Sequence, residues 1–178
     1  MILSVDFGSQ YNQLIARRVR ENHVYCQIEP PDISIATIKA LAPEGIILSG
    51  GPASIYSKSA PRVDKKIFDL GIPILGICYG LQYMVDSLGG KVIGSKKREY
   101  GFAELLVKKQ KGILKGVTKK TQCWMSHGDS IGSLPAGFVI TASTANTPVA
   151  ATVVLAVDAV MANPSGRAPM ESPWLIQH

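Results

Sequence analysis

Along the first ninety residues, short apolar runs alternate with longer stretches in which apolar positions recur every three or four residues. The runs are "MILSVDF" (1–7), "VYCQIEP" (24–30), "GIILSGGP" (45–52) and "IPILGI" (72–77). Each has the length and the Gly or Pro boundary of a buried strand. Between them, "SQYNQLIARRVRENH" places Leu14, Ile15 and Val19 at helical spacing, with Ser9 offered as its cap. "SIATIKALAP" and "APRVDKKIFDLG" read as two further helices. "GLQYMVDSLGG" reads as a fourth, closed by Gly89 and Gly90. Strand–helix alternation at this spacing predicts βαβ units and a mainly parallel sheet covered on both faces, a three-layer α/β sandwich. From residue 91 the texture changes. "YGFAELLV", "QCWMSH" and "FVITAST" read as strands with no long helix between them, so they are expected to extend the sheet in antiparallel fashion.

Composition narrows the class. The 178 residues are 46% hydrophobic and 18% charged, without low-complexity tracts, which is the profile of one folded domain. The opening apolar run lacks the basic flank and cleavage site of a signal peptide. The longest apolar run, Val149 to Ala162, contains Asp158 and is too short to span a bilayer, so no membrane role is expected. The three cysteines, Cys26, Cys78 and Cys123, show no metal or disulfide spacing, so no metal is expected and a reducing, cytoplasmic setting fits. The net charge of +6 is concentrated: residues 91–121 hold ten basic and two acidic groups. That stretch matches no nucleic-acid recognition motif and lacks interleaved aromatics, so nucleic acid is not an expected partner.

The chemistry centres on Gly76-Ile77-Cys78-Tyr79-Gly80, which stands where a strand becomes a helix. This is the thiol form of a nucleophile elbow, in which both flanking glycines are needed because strand and helix nearly touch. The helix N-terminus favours a thiolate, and its unpaired N–H groups, beginning with that of Tyr79, suit a developing oxyanion. A merely buried cysteine requires neither the glycines nor the switch. The glycine turn in "LSGGPAS" ends the preceding strand, and its N–H at Gly51 is the candidate for the second half of the oxyanion hole.

Taken in order, "DFGSQY", "GIILSGGP", "GICYGLQYM", "LGG", "REYG" and "WMSHGDS" resemble the class I glutamine amidotransferase domain of GMP synthetases. The resemblance covers residues 2 to about 151. It implies that Cys78 attacks the side-chain amide of L-glutamine, with Gly51 and Tyr79 as the oxyanion hole. It implies that Gln82 contacts the substrate and that Ser126, Gly128 and Asp129, in a loop, hold its amino-acid end. It further implies that the ammonia passes to an ATP-pyrophosphatase module that aminates XMP to GMP. That module, with its ATP and Mg²⁺, has no counterpart in this sequence, and no cofactor is expected in the domain itself.

The resemblance ends before the family's His-Glu pair, carried on a strand like "GVQFHPEVTHT". Residues 1–151 are read as the amidotransferase domain, still incomplete. Residues 152–178 are read as a divergent segment, with "TVVLAVDAV" as an insert and "APMESPWLIQH" in place of the expected strand. Codons for that ending exist whose one-base shift recovers part of the family strand, an expectation the nucleotide sequence decides. The histidines are His23, His127 and His178. His23 ends the first helix, His127 belongs with the glutamine-holding residues, and His178 lacks a following Glu. Two functions therefore stand side by side: a glutaminase impaired by loss of its His-Glu pair, and a non-catalytic module that binds glutamine or a synthetase and regulates it.

Overall fold

The computed structural model of the chain describes residues 1–110, 114–154 and 174–176. Its strands are β1 (Ile2–Val5), β2 (Cys26–Glu29), β3 (Gly45–Leu48), β4 (Ile74–Ile77), β5 (Lys91–Val107), β6 (Lys120–Ser133), β7 (Phe138–Ser143), β8 (Ala151–Val154) and β9 (Trp174–Ile176). They form one sheet in the order β2-β1-β3-β4-β9-β8-β7-β5-β6. The pairings from β2 through β9 are parallel, and those from β9 onward are antiparallel. The sheet thus joins a parallel half to an antiparallel half.

Helices α1 (Asn12–Glu21), α2 (Ile35–Leu41) and α3 (Tyr79–Ser87) cover the parallel half. Strand alternation divides the two faces. Leu3, Val5, Ile46, Leu48 and Ile74 point into the main core with Ile38 of α2 and Leu81, Tyr83 and Met84 of α3. Ile2, Ile47 and Leu75 point the other way, where with Leu14, Ile15 and Val19 of α1 they line a cavity of about 780 Å³. A buried hydrogen bond from Ser4 Oγ to Asn12 Oδ1 (2.8 Å) ties α1 to that face. This cavity lies at the N-terminal ends of the parallel strands, the opposite end from Cys78.

Every residue of α3 from Tyr79 to Val85 is buried. A helix apolar on all sides needs cover on all sides. The sheet supplies one side through β3 and β4, and the β5–β6 hairpin folds over the other. Val92 and Ile131 of that hairpin join the main core, whereas Ala103, Leu105, Val107, Cys123 and Met125 build a second core against Leu114, Ala142, Ala150 and Ala151. A register shift between Gly94 and Glu99 separates these two halves of the hairpin.

Four local expectations differ from the structure. Ser9 does not cap α1: the Asp6 carboxylate accepts from the N–H groups of Gly8 and Ser9, making a turn that delays the helix until Tyr11. The helix expected over residues 60–71 is only a 3₁₀ turn, Lys65–Asp69, capped by Asp64, because Pro61 and Gly71 confine it. The expected strand at Tyr100–Val107 begins nine residues earlier, at Lys91. Ser126 to Asp129 lie within β6 rather than in a loop, because β5 pairs with them from Gly94 to Tyr100. The expected insert and replacement segments lie outside the described residues, except for Thr152–Val154 and Trp174–Ile176. Those six residues are strand, and β9 sits directly beside β4.

Candidate active site

The site forms where β4 gives way to α3. Cys78 is the N-cap of α3 with φ 47° and ψ −106°, a backbone conformation that side-chain-bearing residues rarely adopt. Two contacts explain why its neighbours are glycine. A Cβ on Gly80 would lie 2.1 Å from the Leu48 carbonyl oxygen, and one on Gly76 would lie 2.7 Å from the backbone of Leu81. Strand and helix therefore touch backbone to backbone, with Gly80 N–H donating to Ser49 O at 3.0 Å. Strain of this kind persists only where the surroundings enforce it, and it collects at functional sites.

The turn after β3 packs against the thiol. A Cβ on Gly50 would lie 3.6 Å from Cys78 Cβ, and one on Gly51 only 2.4 Å from Phe7 O. Ser49 Oγ accepts from Phe7 N–H (2.9 Å) and donates to Gly50 O (2.9 Å), locking this turn to the loop after β1. Below the turn, the Phe7 and Tyr79 rings meet edge to face at 5.1 Å, and the Tyr79 hydroxyl donates to Pro61 O at 2.6 Å. Burial pushes the Tyr79 and Tyr83 hydroxyls above their ordinary range, so both stay neutral donors. Cys78 is partly accessible, whereas Cys26 and Cys123 are buried. Burial also raises the Cys26 thiol.

Asp129 gathers the remaining residues. Its carbonyl accepts from Gln82 Nε2 (3.0 Å) and lies 3.1 Å from His127 Nδ1. Its carboxylate accepts from Ser54 Oγ at 2.7 Å. The other imidazole nitrogen, Nε2, lies 3.3 Å from Thr147 Oγ1. The buried ring is thus tied to Asp129 through one nitrogen and to Thr147 through the other. Of the expected residues, the structure brings Gln82 and Asp129 together and puts Tyr79 next to Cys78 at the start of α3, whereas Gly51 packs on Phe7 and its neighbour Gly50 is the glycine that faces Cys78. Gln82 itself is buried, with its amide nitrogen spent on Asp129. Ser126 and Gly128 fall in β6, with Ser126 opposite Tyr100. Ser54 and Thr147 went unnoticed in the sequence because their links span 75 and 20 residues. His23 lies just past the end of α1, at φ 59°, in the turn leading to the edge strand β2. His178 lies outside the described residues. Among the described residues, no group of three His, Cys, Asp or Glu side chains could hold a metal ion. None of their helices is long and apolar enough to cross a membrane.

A central parallel strand that turns through a strained cysteine into a buried helix defines a class of protein that presents a thiol on an α/β elbow. Residues 3–157 match the family described as Glutamine amidotransferase class-I, and the chain belongs to that family. It is 57% identical over 150 residues to a GMP synthase [glutamine-hydrolyzing] of Heliobacterium modesticaldum, and 56% identical over 151 residues to one of Clostridium botulinum strain Hall. These matches take up 84% and 85% of this chain but only 29% and 30% of those proteins, so the chain spans about three-tenths of their length. The crystal structure of a protein from Thermoplasma acidophilum, assigned as one subunit of a GMP synthase, superposes with a TM-score of 0.76 at 28% identity. That superposition covers 98% of this chain and 81% of the other. A glutamine amidotransferase from Thermotoga maritima (TM-score 0.69, 16% identity, 98% and 73% covered) shares the fold.

Proposed function

We propose that this chain is the glutamine-handling portion of a GMP synthase, with Cys78 as its nucleophile. The observation that carries the reading is Cys78 at φ 47°, held between β4 and the N-terminus of α3 and packed against the Gly50–Gly51 turn. In this reading Cys78 Sγ bonds to the side-chain amide carbon of L-glutamine. The carbonyl electron pair moves onto oxygen, opposite the N–H groups of Gly51 and Tyr79. Collapse of that intermediate breaks the C–N bond. The nitrogen takes a proton as it leaves as ammonia, and a glutamyl thioester remains for water to hydrolyse. Ser126, Gly128 and Asp129 hold the amino-acid end of glutamine. Gln82 acts by fixing the Asp129 carbonyl. The ammonia goes to an ATP- and Mg²⁺-dependent module that aminates XMP to GMP, a cytoplasmic reaction. The domain itself takes no cofactor.

Proton transfer to the leaving nitrogen is the weak step. His127 is an unsuitable donor, because its ring nitrogens face Asp129 O and Thr147 Oγ1. A base carried by the strand beside β4 would have to follow Ile176, which pairs with Ile77, and the histidine there in the sequence is His178. General acid–base catalysis contributes about 10²- to 10⁴-fold, so this chain is expected to bind glutamine and hydrolyse it slowly. The test is ammonia release from glutamine before and after residues 168–178 are replaced by a family strand, "LYGVQFHPEVTHT". The replacement should raise the rate by about two orders of magnitude or more, and Cys78→Ala should abolish it. Equal rates for the two chains would show that this chain supplies its own acid–base residue, with His178→Ala naming it. No hydrolysis by either chain would overturn the reading.

A further inference from the structure

The β5–β6 hairpin turns one face inward and leaves the other bare. Ala103, Leu105, Cys123 and Met125 point into the second core. On the outer face Phe102 stands directly across from Trp124, and the two are 62% and 73% exposed. Beside them lie Leu106, also exposed, and the pair Lys120–Glu104 at 3.3 Å. An exposed Phe–Trp pair on the outer face of the hairpin at the sheet's edge has the composition of an interface centre, where aromatic residues contribute most of the binding energy.

Two observations choose the occupant. The charge excess of the whole chain is carried by residues 91–121, ten basic against two acidic, and Lys108, Lys109, Lys119 and Lys120 stand at the end of this face. A complementary surface is therefore acidic around an apolar centre. The second observation is continuity. Trp124 and Asp129 are five residues apart on the same strand, about 17 Å at the rise of a β-strand. Asp129 is the residue onto which Ser54, Gln82 and His127 converge beside the elbow. A partner seated on Trp124 thus lies about 17 Å along β6 from that cluster, on the outer face of the same strand.

We infer that the Phe102–Trp124 face is the docking surface for the ammonia-consuming portion of the synthase, the part of the GMP synthase relatives that this chain does not match, presented as an acidic surface with an apolar centre. The inference rests on the proposed function and adds to it the place of contact.

The probe is the unmatched portion of the Heliobacterium modesticaldum protein, prepared separately and shown to be folded by its formation of GMP from XMP, ATP and added ammonia. Calorimetry with the full chain should show binding that weakens as salt is raised. Trp124→Glu should weaken it at least tenfold, while melting temperature and Cys78 labelling by a glutamine-analogue electrophile stay at wild-type values. Binding unaffected by Trp124→Glu would overturn the inference. So would no binding by the wild-type chain, or sedimentation showing a self-association that Trp124→Glu abolishes, since the occupant is then absent or a second copy. Cys78 labelling is read in the same samples, so failure of the docking surface is distinguished from failure of the proposed chemistry.

Discussion

Replacing Gly80 with alanine sets two effects of opposite sign against each other. Gly80 lies in the first turn of α3, where alanine is favoured over glycine by roughly 0.5–1 kcal/mol. Helix propensity alone would therefore make Gly80→Ala stabilising. The new Cβ, however, would fall 2.1 Å from the Leu48 carbonyl oxygen and 2.6 Å from its carbon. Both are backbone atoms of a central strand, so no side-chain rotation relieves the collision. Either α3 lifts from β3, lengthening the 3.0 Å bond from Gly80 N–H to Ser49 O, or the sheet yields. Overpacking of a well-filled core costs about 1–3 kcal/mol, and a backbone collision belongs at the upper end. After the helix gain, a net loss of about 2 kcal/mol remains, a fall in melting temperature of roughly 4–8 °C for a chain of this size. Gly94→Ala is the control, because the nearest atom to its Cβ is 3.9 Å away, and it should melt within a degree or so of wild type. The assay is thermal unfolding by circular dichroism. A Gly80→Ala protein that melts at or above the wild-type temperature would refute the close contact that defines the elbow.

Other outcomes follow from the same geometry. Ser54→Ala removes the hydroxyl that bonds the Asp129 carboxylate and should lower stability by about 1–2 kcal/mol in urea unfolding. Ala42 ends α2 in a left-handed conformation at φ 45°, so Ala42→Gly should raise stability by about 1 kcal/mol. Stability should also fall at alkaline pH. Burial raises Cys26, Tyr79 and Tyr83 in the folded state from ordinary values of 9.0 and 10.0. Above about pH 9 the unfolded chain then loses protons that the folded chain keeps, and the slope of stability with pH turns negative. Urea midpoints at pH 8 and pH 10.5 measure it, and an unchanged or higher midpoint at pH 10.5 would contradict the burial of these groups.

Much of the parallel half was legible because each of its strands is short, apolar and bounded by Gly or Pro. The elbow was legible because the sterics of a strand–helix contact leave a residue-level trace in Gly76 and Gly80. The antiparallel half was harder. The start of β5, "KVIGSKKRE", has no two-residue alternation, since its strand character comes from pairing with β6 and from lying over α3. The same pairing made strand of Ser126–Asp129, whose Gly and Asp suggested a loop. The polar cluster on Asp129 was partly visible, in Gln82 and Asp129 themselves. Ser54 and Thr147 carry no local signal, because what selects them is a partner far away in sequence. Phe102 and Trp124 were present in the sequence as ordinary strand aromatics, and only the register of β5 on β6 sets them side by side in solvent.

The proposed chemistry turns on one thiol, and the most direct measurement is mass-spectrometric mapping of an electrophilic glutamine analogue onto the three cysteines of the folded chain. Cys78, partly accessible at the strained cap of α3, should be modified first, and an excess of L-glutamine should slow its modification. Cys26 and Cys123, both buried, should react only on unfolding. Equal modification of all three, or Cys78 modification that glutamine leaves unchanged, would contradict a glutamine site at the elbow.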